Sequence, residues 1–544
     1  MKYSLLLSLV LSLNCVFELT CSQSNGPIVK TDRGLIQGIK QSIDGVTINS
    51  YLGIPYALPP IGPRRYERPV EIRKPFTDIF PAKSFGNACE QNFIDAQEET
   101  PGFKLSENCL FLNIWTPEDA SVDKLYPVYV NIHGANYTFG SAGAEDTRCD
   151  YLTVYTNIVT VNMNYRLGAL GYSYGGTDQI VGNAGVHDIV LAANWIRSNI
   201  RGFGGDPERV TMTGLSSGSI ILSSIFLTPT IPTDWFNRIV FMSGVAVEDI
   251  TIKSVTDTFK VTKRLSKTLN CSEYSTLNDT FNIDELTCLK IVPGITIAQT
   301  KENELYQAAY GDKYIFPTPP RDLINSRKFP SGFKIMVGTE TDEAYLGRNM
   351  KTRNVTEAIY KLSAFLQRLK ITTIADAKKL VERYFVGIGE HDVEKIRKRV
   401  ISFLSNMQFQ CPSLLYSIAF AQNKANTIYS YRNNYVSAYG RAEGRPFGAK
   451  HTDDFSMFIG LPFRHRDRYD DKDREVSLFM MKVLANFVKG NEPFWPSIQV
   501  NGSRTDEIAL PRWEIKNNST LTNVDFDTDK DICLLWAKYL KLNV

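Results

Sequence analysis

The run Gly214-Leu215-Ser216-Ser217-Gly218 places a serine between two glycines, each two residues away. It follows the strand-like run Val210 to Thr213 and precedes the apolar, helix-like run Ser219 to Leu227. A strand that turns into a helix this sharply holds its central serine in a strained backbone geometry, and only glycine neighbours leave room for the turn. The hydroxyl is then exposed near a helix N-terminus, where it could serve as the nucleophile of an acyl transfer. The same five-residue pattern occurs by chance in many chains, so its weight comes from the strand before it and the helix after it.

A serine hydroxyl is a poor nucleophile near neutral pH and needs a base within hydrogen-bond reach, with an acid to hold that base in the right tautomer. The chain has five histidines. His187 lies in a helix-like stretch, His391 and His465 sit among charged residues as surface positions do, and His133 belongs to a separate His-Gly motif. His451 remains, in a loop after the strand-like run Thr427 to Arg432 and C-terminal to the serine. An isolated loop histidine is more often a satisfied surface residue; its position after the serine is what singles it out.

The elements that must position these groups are legible as an alternation. Strand-like runs at Pro127 to Ile132, Ile158 to Met163, Val210 to Thr213 and Ile239 to Met242 are rich in β-branched residues and bounded by Gly, Pro or polar residues. Helical stretches such as Val186 to Ile200 lie between them. The pattern predicts an α/β fold with a large, mostly parallel sheet covered by helices, whose reactive groups collect at the carboxyl ends of the strands. No internal repeat, low-complexity tract or linker divides the chain, so residues 23–544 are expected to form a single domain.

Composition bounds the function. With 544 residues, 43% hydrophobic and 22% charged, the chain can bury a large core. A formal net charge of +3 with scattered basic residues argues against nucleic acid as a partner. Lys2 followed by the apolar run Leu5 to Leu13 reads as a secretory signal peptide over residues 1–22, cleaved around Cys21 to Gln23. No later run has the length of a membrane span, and no removable lipid-anchor tail is read at the C-terminus. After removal of Cys15 and Cys21 seven cysteines remain, with no metal-site spacing, so disulfides and no metal are expected. Sequons at Asn270, Asn278, Asn354, Asn501, Asn517 and Asn518 agree with a glycosylated, secreted and extracellular protein. Nothing in the sequence sets the oligomeric state.

Four further segments carry a resemblance. They are Tyr51-Leu52-Gly53-Ile54-Pro55-Tyr56-Ala57, Ser106 to Trp115, Asn164-Tyr165-Arg166-Leu167-Gly168, and Phe203-Gly204-Gly205-Asp206-Pro207 just before the serine turn. Together with that turn, and over nearly the whole mature chain, the sequence resembles the type-B carboxylesterases and cholinesterases, which implies an α/β-hydrolase fold. The resemblance implies a catalytic triad of Ser216, Glu343 and His451, placing the acid in Gly338-Thr339-Glu340-Thr341-Asp342-Glu343 and the base in Gly448-Ala449-Lys450-His451. Without it Glu340, Asp342 and Glu343 are indistinguishable among 58 acidic residues. It further implies disulfides Cys89–Cys109, Cys271–Cys288 and Cys411–Cys533, leaving Cys149 as a free thiol or an intermolecular link. It implies no cofactor, and a small-molecule ester as the partner of the site.

The chain also departs from that pattern. After His133-Gly134, where relatives continue with glycine, it has Ala135-Asn136-Tyr137. The backbone N–H groups of Ala135, Asn136 and Ser217 are the expected oxyanion donors. Side chains at the first two predict a partly formed hole and weak turnover, which restoring both glycines should raise about tenfold. Asn136 also opens a sequon, expected to be unmodified because a glycan there would block the site. Leu215 stands where most relatives have Glu, Ala344 where glycine is common, and no Trp lies between Cys89 and Cys109 to receive a quaternary ammonium, which argues against acetylcholinesterase activity. Two readings follow: a serine carboxylic-ester hydrolase, or a cholinesterase-like binding or adhesion protein that has lost turnover. The second class commonly lacks a triad residue or carries a membrane anchor, and neither feature is read here.

Overall fold

The computed structural model describes residues 26–92, 104–247, 250–272, 280–345, 352–443, 448–501, 508–516, 524–526 and 530–543. Eleven strands form its main sheet: β1 (Ile39–Ile43), β2 (Val46–Pro55), β3 (Phe111–Pro117), β4 (Tyr126–Ile132), β5 (Val159–Met163), β6 (Gly205–Leu215), β7 (Arg238–Met242), β8 (Lys334–Glu340), β9 (Thr427–Asn433), β10 (Pro511–Ile515) and β11 (Val524–Phe526). Their order is β11-β10-β9-β8-β7-β6-β4-β5-β3-β2-β1. From β5 through β10 every pairing is parallel, while β3, β2 and β1 on one side and β11 on the other pair antiparallel. This is the α/β-hydrolase fold, a large mixed sheet flanked by helices.

The parallel strands are buried on both faces, which is why they read as continuous apolar runs rather than as alternation. In β7, Ile239 and Phe241 enter one core while Val240 and Met242 enter the other, as the two-residue period of a strand requires. Six helices matter to the site: α1 (Asp150–Thr156), α2 (Ala184–Asn199), α3 (Ser217–Leu227), α4 (Cys411–Gln422), α5 (Asp453–Phe458) and α6 (Asp471–Val488). Residues of α2, α3 and α4 pack into the first core, and those of α1, α5 and α6 into the second. Every residue of α3 is buried, so its sequence is apolar or small all round.

Strand register sets the site. Gly214 pairs with Ile132, Leu215 with Met242, Met242 with Gly338, and Glu340 with Asn433. The carboxyl ends of β4, β6, β7, β8 and β9 therefore lie side by side along one edge of the sheet. Cys89–Cys109, Cys271–Cys288 and Cys411–Cys533 are bridged. Cys149 is unbridged and fully buried, and burial pushes its thiol up, so it is a sequestered free thiol and not an intermolecular link. No helix among the described residues is long and apolar enough to cross a membrane.

Candidate active site

Ser216 joins β6 to α3 with φ 52° and ψ −122°, a region that side chains rarely enter. Backbone approach around it is close. A Cβ added at Gly214 would lie 2.5 Å from the Gly218 oxygen. One at Gly218 would lie 2.5 Å from the His133 oxygen and closer still to that of Ile132. The Ser216 N–H donates to the Met242 oxygen at 2.8 Å, which fixes the turn against β7.

The structure brings three of the residues singled out by sequence into one chain of hydrogen bonds. His451 Nε2 lies 2.8 Å from Ser216 Oγ, and His451 Nδ1 lies 2.6 Å from Glu343 Oε2. The other Glu343 oxygen accepts the Glu340 N–H at 2.9 Å, and the Glu343 side chain is wholly buried. The imidazole is about one quarter exposed and packs on Phe409 at 4.7 Å between centroids. With Nδ1–H donated to Glu343, Nε2 is left to accept from the serine, the tautomer a general base requires.

The three acids of this loop have different partners. Asp342 binds the His451 segment, its N–H donating to the Ala449 oxygen at 2.9 Å and its Oδ2 accepting from Gly448 at 2.5 Å. Burial raises its carboxyl above the usual range. Glu340 turns its carboxyl away from the imidazole, towards Asp454, whose N–H it accepts at 2.6 Å. Gln410 Nε2 ties the loop down by donating to the oxygens of Glu340 and Thr341, at 2.7 and 2.9 Å.

Beyond β4 the chain turns at Gly134, where a Cβ would lie 2.6 Å from the Leu215 oxygen. Ala135, Asn136 and Tyr137 then take φ values of 78°, 51° and 66°, three consecutive left-handed residues without a glycine among them. The Tyr137 N–H is taken by the Ser217 hydroxyl at 3.2 Å, and the Tyr137 oxygen accepts from Gly168 at 2.7 Å. No described residue accepts a hydrogen bond from the N–H of Ala135 or Asn136. Ser217 N–H is a first-turn donor of α3 with no intrahelical partner. Ala135 and Asn136 line a cavity of about 630 Å³ together with Ser216, Glu343 and His451. Its other walls include Leu215, Phe139, Tyr345 and Phe409, with Asp146 and Lys450 as charged groups. It is of ligand size and mainly apolar.

The remaining candidates lie elsewhere. His133 is buried beneath the loop, stacked on Tyr165 at 4.5 Å, and burial lowers its pKa to about 4. His187 is half-buried in α2 with its pKa similarly lowered to about 3, His391 is exposed, and His465 is half-buried beside Glu145 at 3.4 Å. Among the described residues no group of His, Cys, Asp and Glu could hold a metal ion. Asn136, Asn270 and Asn501 are exposed, and Asn354 is half-buried with its side chain capping a helix through the Glu357 N–H at 2.8 Å. Asn278, Asn517, Asn518 and residues 1–22 lie outside the described residues. Sequence reasoning gave no part to Phe409 or Gln410, which come from a five-residue π-helical turn, Asn406–Gln410, that leads into α4 and carries no motif.

The sequence model of the carboxylesterase family matches residues 25–530. Acetylcholinesterase-1 of Trittame loki is 28% identical over 519 residues, covering 89% of this chain and 90% of that protein. Liver carboxylesterase 1F of Rattus norvegicus is 28% identical over 519 residues, covering 90% and 88%. Cholinesterase of Mus musculus is 27% identical over 502 residues, covering 86% and 81%.

Proposed function

The chain belongs to the carboxylesterase family, and from that premise we propose that it is a serine carboxylic-ester hydrolase with Ser216, His451 and Glu343 as its triad. The observation that carries the reading is the pair of hydrogen bonds, 2.8 and 2.6 Å, linking serine, imidazole and carboxylate at the wall of the cavity. In this mechanism Ser216 Oγ attacks the ester carbonyl carbon while its proton passes to His451 Nε2. Buried Glu343 stabilises the imidazolium that forms, without itself taking the proton. Negative charge develops on the carbonyl oxygen, and the amides of Ala135, Asn136 and Ser217 are the donors available to it. The imidazolium then protonates the departing alcohol, and a water activated by the same nitrogen hydrolyses the acyl-enzyme.

We assign this catalytic unit to residues 23–544, exported behind a signal peptide at 1–22, and three disulfides agree with an oxidising compartment. The mainly apolar walls, with Leu215 beside the serine, support a small ester as the substrate. The test is hydrolysis of a short p-nitrophenyl ester by the purified protein. Turnover is expected, with kcat reduced by orders of magnitude in His451→Ala and Glu343→Gln, since the three groups act as a unit. A folded wild type with no turnover would favour a binding protein that has kept only the fold.

A further inference from the structure

Two more carboxyls are buried together behind Glu343. Glu340 ends β8 and Asp454 lies in the first turn of α5, three residues after His451; both are wholly buried. Counting donors separates them. Asp454 Oδ2 accepts the Tyr431 hydroxyl at 2.7 Å and its Oδ1 accepts the Phe455 N–H at 2.6 Å, as a carboxylate would. Glu340 Oε1 accepts the Asp454 N–H at 2.6 Å, but Glu340 Oε2 is buried with no donor among the described residues. A buried carboxylate oxygen without a donor is costly, whereas a carboxylic acid O–H needs only an acceptor. The Asp454 side chain, in hydrogen-bond contact with that of Glu340, supplies one.

We propose that Glu340 is a positioning residue: a neutral carboxylic acid that donates to the Asp454 carboxylate and so clamps the loop of Glu343 to the segment carrying His451. The proposal rests on the triad reading given above. One residue touches both halves of the site, because the Glu340 N–H donates to Glu343 Oε1 at 2.9 Å while its side chain holds the start of α5. The electrostatics agree. Burial, then Asp454 and Asp453 on α5, and Glu343 on its own loop push the Glu340 carboxyl well above the usual range. From β9 the facing group is the Tyr431 hydroxyl, bound to Asp454. Ionising Glu340 would set a further negative charge against Glu343 and Asp454 and break its donation, releasing α5 and with it the imidazole.

The experiment compares wild type, Glu340→Gln and Glu340→Ala by the pH dependence of kcat on a p-nitrophenyl ester, alongside infrared difference spectra of wild type minus Glu340→Gln near pH 7. A glutamine can accept from the Asp454 N–H and donate to its carboxylate. Glu340→Gln is therefore expected within about threefold of wild-type kcat at pH 7, without the decline that wild type shows as Glu340 ionises at higher pH. Glu340→Ala is expected to lose kcat roughly tenfold to hundredfold with little change in KM, as misplacement of a catalytic group does. The difference spectrum should contain the C=O stretch of a protonated carboxyl. The proposal is overturned if Glu340→Gln is as impaired as Glu340→Ala, if its high-pH decline coincides with that of wild type, or if no protonated carboxyl is lost. The spectrum decides whether or not Glu340→Ala folds. It also decides if wild type proves inactive, an outcome that removes the triad reading and leaves the carboxyl pair to be judged by its proton.

Discussion

Two turns meet at the candidate site, and they handle left-handed backbone in opposite ways. The turn from β6 to α3 keeps glycines at 214 and 218, although neither has positive φ; the strained residue is Ser216 itself. The loop after β4 has positive φ at Ala135, Asn136 and Tyr137 and no glycine at any of them, yet retains Gly134, whose φ is ordinary. The difference separates two demands on glycine that sequence patterns merge. At 134, 214 and 218 a Cβ would run into backbone or Ser216. At 135 and 136 the side chains have space, Ala135 half-buried and Asn136 exposed, so only the conformational cost of positive φ remains, about 1–3 kcal/mol per residue. Space cannot be offset elsewhere in the fold; that cost can.

The sharpest way to break this comparison is Gly218→Ala. Its Cβ would meet the Ile132 and His133 oxygens, so the serine turn must shift, and kcat on a p-nitrophenyl ester should fall roughly hundredfold or more. Retention of a third of wild-type activity would show that the backbone yields and that space is not the constraint.

His133 is the floor shared by both turns, its oxygen accepting the Tyr165 hydroxyl at 2.7 Å and facing Gly218. Its pKa falls from 6.5 unfolded to about 4 folded because burial disfavours the charged ring. A depressed histidine contributes stability that is present above pH 6.5 and lost as pH falls towards 4, here about 2 kcal/mol between pH 7 and pH 5. Urea unfolding of wild type and His133→Asn at both pH values should differ by that amount. Parallel losses in the two proteins would mean that the ring is not held neutral.

The smallest effect is expected where glycine is restored. Sequence alone implies that Ala135 and Asn136 weaken the oxyanion hole; their left-handed φ values point the other way. Ala135→Gly with Asn136→Gly should leave kcat within about threefold and stability within about 1 kcal/mol, relief of strain being offset by the freedom glycine gains when unfolded. A tenfold rise in kcat, worth about 1.4 kcal/mol, would show that the native side chains hold the amides off and that the loop limits turnover.

The parallel core of the fold was legible because its strands are buried on both faces and announce themselves as apolar runs. The antiparallel strand β1 has a mixed, partly exposed pattern, and in β2 the polar residues Thr47, Asn49 and Ser50 break up the apolar run although most of the strand is buried, so neither gave such a signal. Ser216 was readable from local geometry and His451 from position after the serine. Glu343 was not readable from the residues alone, since Glu340, Asp342 and Glu343 lie together at and just beyond the end of β8 and differ only in what each reaches across the fold: the Asp454 amide, the Gly448 amide and the imidazole. A partner more than 100 residues away leaves no local periodicity to read, and Gln410 and Phe409, whose partners Glu340, Thr341 and His451 are also distant in the chain, carry no local signal either.

The central claim is that Ser216 is a nucleophile activated by His451 and Glu343. It is tested most directly by treating the folded protein with an organophosphate and locating the modification by peptide mass spectrometry. The account predicts one phosphorylated serine, Ser216, with labelling abolished in Ser216→Ala and strongly slowed in His451→Ala. A folded protein that leaves Ser216 unmodified, or that is labelled at another serine, would contradict it.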